Sequence, residues 1–400
     1  MSGIYIIGGG ASGLFAAIWA AKRNKRVTVL EHKDRPGKKI LATGNGKCNY
    51  TNLVQTEGCY RSNNTAFASE VLRAFGTDKT VEFFKEIGIY PHERNGYLYP
   101  NSGQASSVLE VLLLEAERLN VKIECNTHVR QVDKKLRILT EGEEYQADRV
   151  LLASGGMANP ALGSDGSGFA IAKALGHKII TPLPALVQLK SGEKYFKALS
   201  GVRTEAEVNL YSGKKQLAKE RGEVLFADYG ISGIPVMQVS RFAARALSEG
   251  RDALLVLDFF PSLSKEEIKE ILISRLTRNR KETIEQAFLG LLNKKLAYIA
   301  LKESGILVSL TLNQLKKEQI DQLALRLKEW KIPVSGPNSF EQAQVTAGGV
   351  DTLEINPATM ESKLVQGLFF AGEVVDVDGT CGGYNLQWAW SSGFVAGSHL

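Results

Sequence analysis

The stretch GIYIIGGGASGLFAAIWAAKRNKRVTVLE, residues 3–31, decides the fold of this chain. An apolar strand, a glycine-rich turn, a segment of helical composition and a second strand follow one another, at residues 4–7, 8–13, 12–22 and 27–30. This order predicts a parallel β-α-β unit that ends at Glu31.

The turn of this unit fits the pattern G-x-G-x-x-G through Gly8, Gly10 and Gly13. Gly8 allows the tight turn, Gly10 lets the backbone approach a pyrophosphate, and Gly13 lets the helix pack against the strand. The free N–H groups at the helix start then hold the phosphate charge. Glu31 can accept a hydrogen bond from a ribose hydroxyl. The pattern is weak alone, but the strand, the helix and the acid around it predict a dinucleotide site.

Three features favour FAD over NAD. The motif lies at the start of the chain, and a second nucleotide-type strand, Val150–Gly156, comes much later. Near the other end, Leu368–Glu373 ends a strand with Ala-Gly-Glu, and the chain returns through Gly382 and Gly383 into a helix. Backbone N–H groups of such an element can meet the cofactor from the opposite side.

Composition sets the broad class of the protein. The chain has 400 residues, 44% hydrophobic and 23% charged, and a net charge of +6, which indicates a mixed solvated surface rather than a dedicated nucleic-acid binder. Four cysteines, at 48, 59, 125 and 381, form no metal-binding or redox pair. No signal peptide or run of 18 apolar residues is present, so we expect a cytoplasmic protein without a membrane partner.

The composition changes along the chain and predicts an insertion. Pro182–Pro184 indicates a boundary, after which strands predominate, and a basic, helical segment follows that includes a helix opening at residues 311–313. We therefore expect an α/β fold in which a Rossmann-like FAD-binding domain, residues 1–184 and 336–400, is built from both chain ends. The inserted parts are a β-rich domain, residues 185–260, and a helical domain, residues 261–335.

Four segments resemble a family of bacterial flavoproteins that includes aminoacetone oxidase-like, 3-dehydro-bile acid reductase-like and ribosomal RNA dihydrouridine synthase-like members. The segments are residues 37–52, 225–233, 346–350 and 372–389. The resemblance implies noncovalent FAD, a β-barrel-like insertion and a small helical domain. The chain departs from the common loop pattern at Asn45, where members often carry Gly or Ser, and at Lys47, where Arg is common.

The motif and the resemblance together predict the residues that contact the cofactor. They are Gly8, Gly10, Ala11, Ser12, Gly13, Glu31, His32, Lys39, Gly44, Gly46, Cys48, Asn49, Val129, Ala153, Ser154, Gly155, Gly372, Glu373, Gly383, Tyr384, Asn385 and Gln387. No metal site is predicted.

Three of these residues are candidates for catalysis. Cys48 either protonates the substrate or packs as a small buried thiol beside the flavin, and the packing role is the commoner one. The backbone N–H groups of Tyr384 and Asn385, at the start of the last helix, can face the flavin carbonyl where negative charge develops. Lys39 and Lys47 either neutralise an anion or are solvated charges.

The sequence predicts an FAD-dependent reductase of an activated C=C bond, in a bile-acid-type enone or an RNA uridine. Its partner is then a small molecule, with NAD(P)H as a transient electron donor, because only one dinucleotide motif is clear. Two alternatives stay open: an amine oxidase that uses oxygen, and an RNA-binding or RNA-modifying flavoprotein.

Overall fold

A computed structural model describes residues 3–278, 283–308, 310 and 314–400 of the chain. The predicted helix start at residues 311–313 lies outside the described residues. The strands are β1 Gly3–Ile7, β2 Val27–Leu30, β3 Thr51–Asn52, β4 Tyr60–Arg61, β5 Pro91–Arg94, β6 Tyr97–Pro100, β7 Lys122–Glu124, β8 Val129–Val132, β9 Arg137–Thr140, β10 Glu144–Leu152, β11 Ile179–Ala185, β12 Leu189–Lys190, β13 Arg203–Ser212, β14 Lys215–Ala227, β15 Gly230–Ser232, β16 Leu254–Asp258, β17 Trp330–Pro333, β18 Gly336–Pro337, β19 Val345–Val350, β20 Leu368–Phe370 and β21 Asp378–Gly379. The helices are α1 Ala11–Ala21, α2 Lys38–Ala42, α3 Thr65–Ala74, α4 Thr77–Glu86, α5 Ala105–Arg118, α6 Ser167–Ala174, α7 Phe196–Leu199, α8 Ile234–Ser248, α9 Lys265–Arg278, α10 Ile284–Ala287, α11 Lys294–Glu303, α12 Lys317–Lys328 and α13 Tyr384–His399.

The first compact unit combines both ends of the chain, Met1–Pro184 and Ala343–Leu400. Its main sheet has the order β7-β2-β1-β10-β9-β8, and β20 pairs with β10. Strands β7, β2, β1, β10 and β20 run parallel, whereas β9 and β8 are added in antiparallel fashion. This arrangement confirms the predicted Rossmann-like α/β architecture. Because parallel strands end at one edge of the sheet, the turns after β1, β10 and β20 meet there.

Helices α1 and α13 join the two ends of the chain. A Cβ atom on Gly393 would lie 2.7 Å from the Ser12 carbonyl oxygen, and one on Gly397 would lie 2.4 Å from the Ala16 oxygen. Only glycine therefore permits this approach of the two helix backbones. The contact places the glycine turn that follows β1 beside the last helix of the chain.

The second compact unit is Ala185–Gln342. Its sheet has the order β17-β16-β13-β14-β15-β12-β18, with the pairings antiparallel. Buried side chains of this sheet and of the helices share one hydrophobic cluster, which includes Val208, Phe226, Leu296, Leu323 and Trp330. The barrel-like form of the insertion and a separate helical domain stay predictions.

Two segments differ from the structure that the sequence predicts. The stretch 35–52, expected to be a long loop, contains helix α2 and the short strand β3. Its five-residue helix follows Gly37, which has a left-handed φ of 71°. Glycine is more typical of the end of a helix than of its start, so helix propensities do not predict a helix here. The segment expected to be β-rich contains the 15-residue helix α8. Within the part of the chain that the structure describes, each helix is too short or too polar to cross a membrane.

Candidate functional site

The glycine turn after β1 has the geometry that its sequence pattern predicts. Gly8 has a φ of 107°, and a Cβ atom there would lie 2.5 Å from the Ala153 oxygen. A Cβ atom on Gly13 would lie 1.9 Å from the Gly8 oxygen, so the helix can contact the strand only through glycine. A Cβ atom on Gly10, the N-cap of α1, would meet no atom within 4 Å in the part of the chain that the structure describes. The helix start is thus tightly packed at Gly8 and Gly13 and open at Gly10, as a phosphate site requires.

Glu31 stands at the end of β2 and faces this turn. It is 7% exposed. One carboxylate oxygen accepts a hydrogen bond from the Gly9 N–H at 2.8 Å, and the other accepts one from the Lys33 N–H at 2.8 Å. These two bonds hold the carboxylate beside the open helix start, the position at which a ribose would accompany a pyrophosphate.

His32 follows Glu31 and borders the same place. Its ring lies 5.7 Å from the ring of His128, and Nε2 is buried without a hydrogen-bond partner among the described residues. Burial lowers the pKa of His32, against the opposing effect of Glu31. A neutral imidazole with one unsatisfied nitrogen fits a polar ligand group at this position.

Strand β10, the second nucleotide-type strand that the sequence predicts, ends beside the glycine turn. Leu152 of β10 pairs with Ile7, and Ala153 donates its N–H to the Ile7 oxygen at 2.9 Å. The Ser154 hydroxyl is buried without a partner among the described residues, and Gly155 has a φ of 76°. Val129 differs from these residues: it is 4% exposed in β8 and packs in the sheet core, which favours a structural role.

The C-terminal block packs directly against the N-terminal helix. Ser12 donates its hydroxyl to the Ala371 oxygen at 3.4 Å, and a Cβ atom on Gly372, at a φ of 76°, would lie 2.4 Å from that hydroxyl. The Gly372 N–H donates to the Ser392 hydroxyl, and its oxygen accepts from the Trp388 indole at 3.0 Å. The two ends of the chain therefore pack against each other beside the glycine turn.

Two charged side chains that the sequence assigns to the cofactor pair with one another. Lys39 Nζ and Glu373 Oε2 are 2.8 Å apart, and Glu373 Oε1 accepts a hydrogen bond from the Thr346 N–H. The pair leaves Lys39 a neutralised charge, which favours a positioning role over anion binding. Lys47, in contrast, is exposed.

The N-terminus of α13 meets the loop before β3. Gly383 caps the helix with a φ of 90°, and a Cβ atom there would lie 2.7 Å from the Thr51 oxygen and 2.8 Å from Asn49 Oδ1. Asn49 is 8% exposed, and its Oδ1 atom is buried without a hydrogen-bond partner among the described residues. A buried acceptor beside a helix N-terminus favours a ligand that carries N–H donors. The neighbouring Gly46 leaves its surroundings open.

The polar side chains at the start of α13 form hydrogen bonds within the protein. Asn385 accepts the Gly379 N–H at 2.8 Å and donates to the Gly379 oxygen. Tyr384 donates to the Val54 oxygen at 2.9 Å. Gln387 is fully buried between Thr51, Phe75 and Ser391. This favours a supporting role for Gln387 instead of cofactor contact, and leaves the backbone N–H groups of Tyr384 and Asn385 as the candidate contacts.

Cys48 lies inside the core. It is fully buried, and burial raises its pKa to about 12. Its backbone adopts a φ of 56° and its N–H donates to the Thr43 oxygen. It packs with Leu14, Ile40 and Tyr50. These surroundings favour the packing role over proton donation. Gly44, four residues earlier, also has a positive φ, of 56°.

Sequence reasoning missed Thr346 as a part of this site. Its hydroxyl accepts the N–H groups of Met157 and Ala158, at 2.8 and 3.1 Å. A Cβ atom on Gly156 would lie 2.3 Å from that hydroxyl. Thr346 therefore ties the segment after β10 to the Glu373 carboxylate. The only indication in the sequence is that Thr346 opens one of the four segments that resemble the family.

A buried hydrogen-bonded group next to the sheet was also missed. His177 lies 3.0 Å through Nδ1 from Glu354 Oε2 and 2.9 Å through Nε2 from the Ser362 hydroxyl. A neutral ring with its proton on Nδ1 satisfies both partners. Burial lowers the pKa of His177, although Glu354 opposes this. The Ser362 hydroxyl also accepts the Leu364 and Val365 N–H groups, so the cluster is a structural clamp.

This clamp predicts a pH-dependent stability. Because the folded pKa of His177 lies below its ordinary value of 6.5, the unfolded chain binds the proton more readily. The stabilisation is complete above that ordinary value and is lost as the pH falls through the folded pKa. We expect the free energy of unfolding to fall between about pH 7.5 and pH 5.5, and to fall less steeply in a His177→Gln variant. Urea unfolding of the flavin-free protein at both pH values measures this. Equal slopes in the two proteins would exclude His177 as the titrating group.

Comparisons with known proteins identify the family of this chain. Residues 2–399 match the family described as HI0933-like protein Rossmann domain. The chain is 43% identical to the 3-dehydro-bile acid delta(4,6)-reductase of Clostridium scindens, over 99% of this chain and 98% of that protein. It is 34% identical to the ribosomal RNA dihydrouridine synthase of Haemophilus influenzae, over 98% of this chain and 96% of that protein, and 30% identical to the Escherichia coli protein of the same name, over 99% and 97%. The resemblance predicted from the sequence is confirmed. The chain belongs to the HI0933-like family, whose match covers residues 2–399, and it is an oxidoreductase.

Proposed function

We propose that the protein reduces an activated C=C bond of a small molecule, and that an enone of the bile-acid type is its substrate class. The observation that carries this proposal is the 43% identity, over nearly the full length of both chains, to a protein named as a reductase of 3-dehydro-bile acids. A C=C bond conjugated to a carbonyl accepts hydride at one carbon and a proton at the next.

The site residues fit FAD as the cofactor. The open N-terminus of α1, with the N–H groups of Ala11, Ser12 and Gly13, suits the pyrophosphate, and Glu31 suits a ribose hydroxyl. FAD supplies hydride exchange when it is bound. The buried Oδ1 of Asn49, which has no hydrogen-bond partner among the residues that the structure describes, suits a ring N–H donor.

The protein's own groups then orient the cofactor and stabilise charge. The backbone N–H groups at the start of α13 would stabilise the negative charge that a bound flavin develops on reduction, and such a fixed dipole costs no reorganisation. Asn385 and Gln387 keep these N–H groups in position through their bonds to Gly379 and Thr51. Gly382 and Gly383 let the start of α13 pack closely against the Tyr97 ring and the Thr51 oxygen.

We propose NAD(P)H as a transient electron donor, because the sequence carries a single dinucleotide motif and that motif suits FAD. A ribosomal RNA uridine is a second candidate substrate. The relatives named as ribosomal RNA dihydrouridine synthases, at 34% and 30% identity, favour it less strongly than the reductase relative favours an enone.

The experiment that tests this function compares acceptors. The protein is reduced without oxygen and then mixed separately with a steroid enone, with ribosomal RNA and with oxygen, and the return of the visible flavin band is timed. We expect the enone to reoxidise the flavin fastest. Fast reoxidation by RNA alone would identify the uridine substrate, and fast reoxidation by oxygen with neither alkene would identify an oxidase and overturn the proposal.

A further inference from the structure

Two tyrosines share one face of strand β6. Tyr97 and Tyr99 alternate with Leu98, which is 3% exposed and points into the core, so the two tyrosines lie on the opposite face. Both are half-buried. In the sheet β3-β6-β5, Tyr97 pairs with Asn52 of β3, three residues after Asn49.

The Tyr97 ring lies against the glycines that begin α13. A Cβ atom on Gly382, at a φ of 124°, would lie 2.6 Å from Cε1 of Tyr97. Tyr99 lies near Gly44 instead, since a Cβ atom on Gly44 would lie 3.6 Å from Cε1 of Tyr99. Tyr97 is therefore the tyrosine adjacent to the cap of α13, one residue from Gly383.

Two other tyrosines of this region already donate their hydroxyl protons to the protein. The Tyr384 hydroxyl donates to the Val54 oxygen, and the Tyr60 hydroxyl donates to Gln55 Oε1 at 3.1 Å. Cys48 is fully buried in the core. Tyr97 is half-buried, and burial, followed by the nearby Cys381, raises its pKa. Its phenol therefore keeps its proton at neutral pH.

We propose that Tyr97 is the proton donor of the reduction, with its hydroxyl facing the substrate beside the N-terminus of α13. This inference rests on the proposed function. When one alkene carbon takes hydride, which carries both electrons of the reduced flavin, the π pair moves to the neighbouring carbon. That carbon forms a C–H bond with the Tyr97 proton as the O–H bond breaks. The phenolate then regains a proton from water, so atoms and charge balance.

A hydroxyl deletion separates this step from the others. In Tyr97→Phe the ring remains against Gly382, so we expect normal FAD binding and reoxidation by oxygen at the wild-type rate. Reoxidation by the steroid enone should slow about 100-fold or more, the usual effect of losing a general acid. Tyr90→Phe is the matched control, since Tyr90 is 74% exposed and precedes the same hairpin. Tyr99→Phe tests the neighbour on the same face.

A chemical readout that does not depend on turnover locates the hydroxyl. Tetranitromethane nitrates accessible tyrosines, and peptide mass spectrometry counts the nitrated fraction at each position. We expect FAD together with the enone to protect Tyr97 and to leave Tyr90 unchanged.

The outcomes are distinct. Slow enone reoxidation in Tyr97→Phe alone, with protection of Tyr97, supports the proposal. An unchanged enone rate in Tyr97→Phe, a loss confined to Tyr99→Phe, or nitration of Tyr97 that ligands do not alter would overturn it. If wild-type protein itself fails to transfer electrons to the enone, the proposed function fails instead.

Discussion

Replacing Gly13 with alanine is expected to destabilise the nucleotide-binding unit severely. Alanine normally favours a helix over glycine by about 1 kcal/mol. Here the new Cβ atom would lie 1.9 Å from the Gly8 oxygen, and that oxygen belongs to backbone that cannot rotate away. Helix α1 must move off strand β1, so we expect the free energy of unfolding to fall by about 3 kcal/mol or more. Urea unfolding of the flavin-free protein measures this.

Wild-type stability in Gly13→Ala would show that α1 packs against β1 differently from the structure. The matched control is Gly10→Ala, three residues earlier in the same turn.

Gly10→Ala is expected to leave the fold intact and to prevent FAD binding. Gly10 has a φ of −79°, which alanine adopts freely, and its Cβ atom would meet no atom of the described residues within 4 Å. We expect the free energy of unfolding to change by under about 1 kcal/mol. The methyl group would occupy the open approach to the helix N-terminus. FAD affinity should therefore fall about 100-fold, or roughly 2.7 kcal/mol, as measured by titration of the flavin-free protein.

The pair of variants separates ligand binding from folding. If Gly10→Ala binds FAD as the wild type does, the pyrophosphate does not lie at the open face of the turn. Gly10 would then serve the backbone conformation of the turn and not ligand binding.

The sequence allowed the β-α-β unit to be predicted because its determinants are local. Gly8, Gly10 and Gly13 fall within six residues, and the two strands on either side are short apolar runs. The distant block around Gly372 could also be placed, because a strand ending in glycine and acid belongs at the same sheet edge. Helix α2 and helix α8 were missed, since glycine and lysine in the first and β-type residues around the second obscure helical periodicity.

The partners of individual side chains could not be predicted. Lys39 pairs with Glu373, 334 positions away, and Gln387 bonds with Thr51, 336 positions away. Such contacts depend on how the two chain ends pack, which no local pattern encodes. The burial of Cys48 likewise follows from the packing of α1 against the elements around it. The sequence thus identifies the cofactor more readily than the residues that act on the substrate.

Reconstitution with FAD tests the central claim most directly. The purified protein is stripped of any flavin, titrated with FAD, and followed by its visible absorption spectrum, with NAD as the competing dinucleotide. The two-ended site predicts a yellow complex with one FAD per chain that NAD does not displace. A colourless protein that FAD cannot reconstitute, or one that binds NAD in its place, would contradict the account.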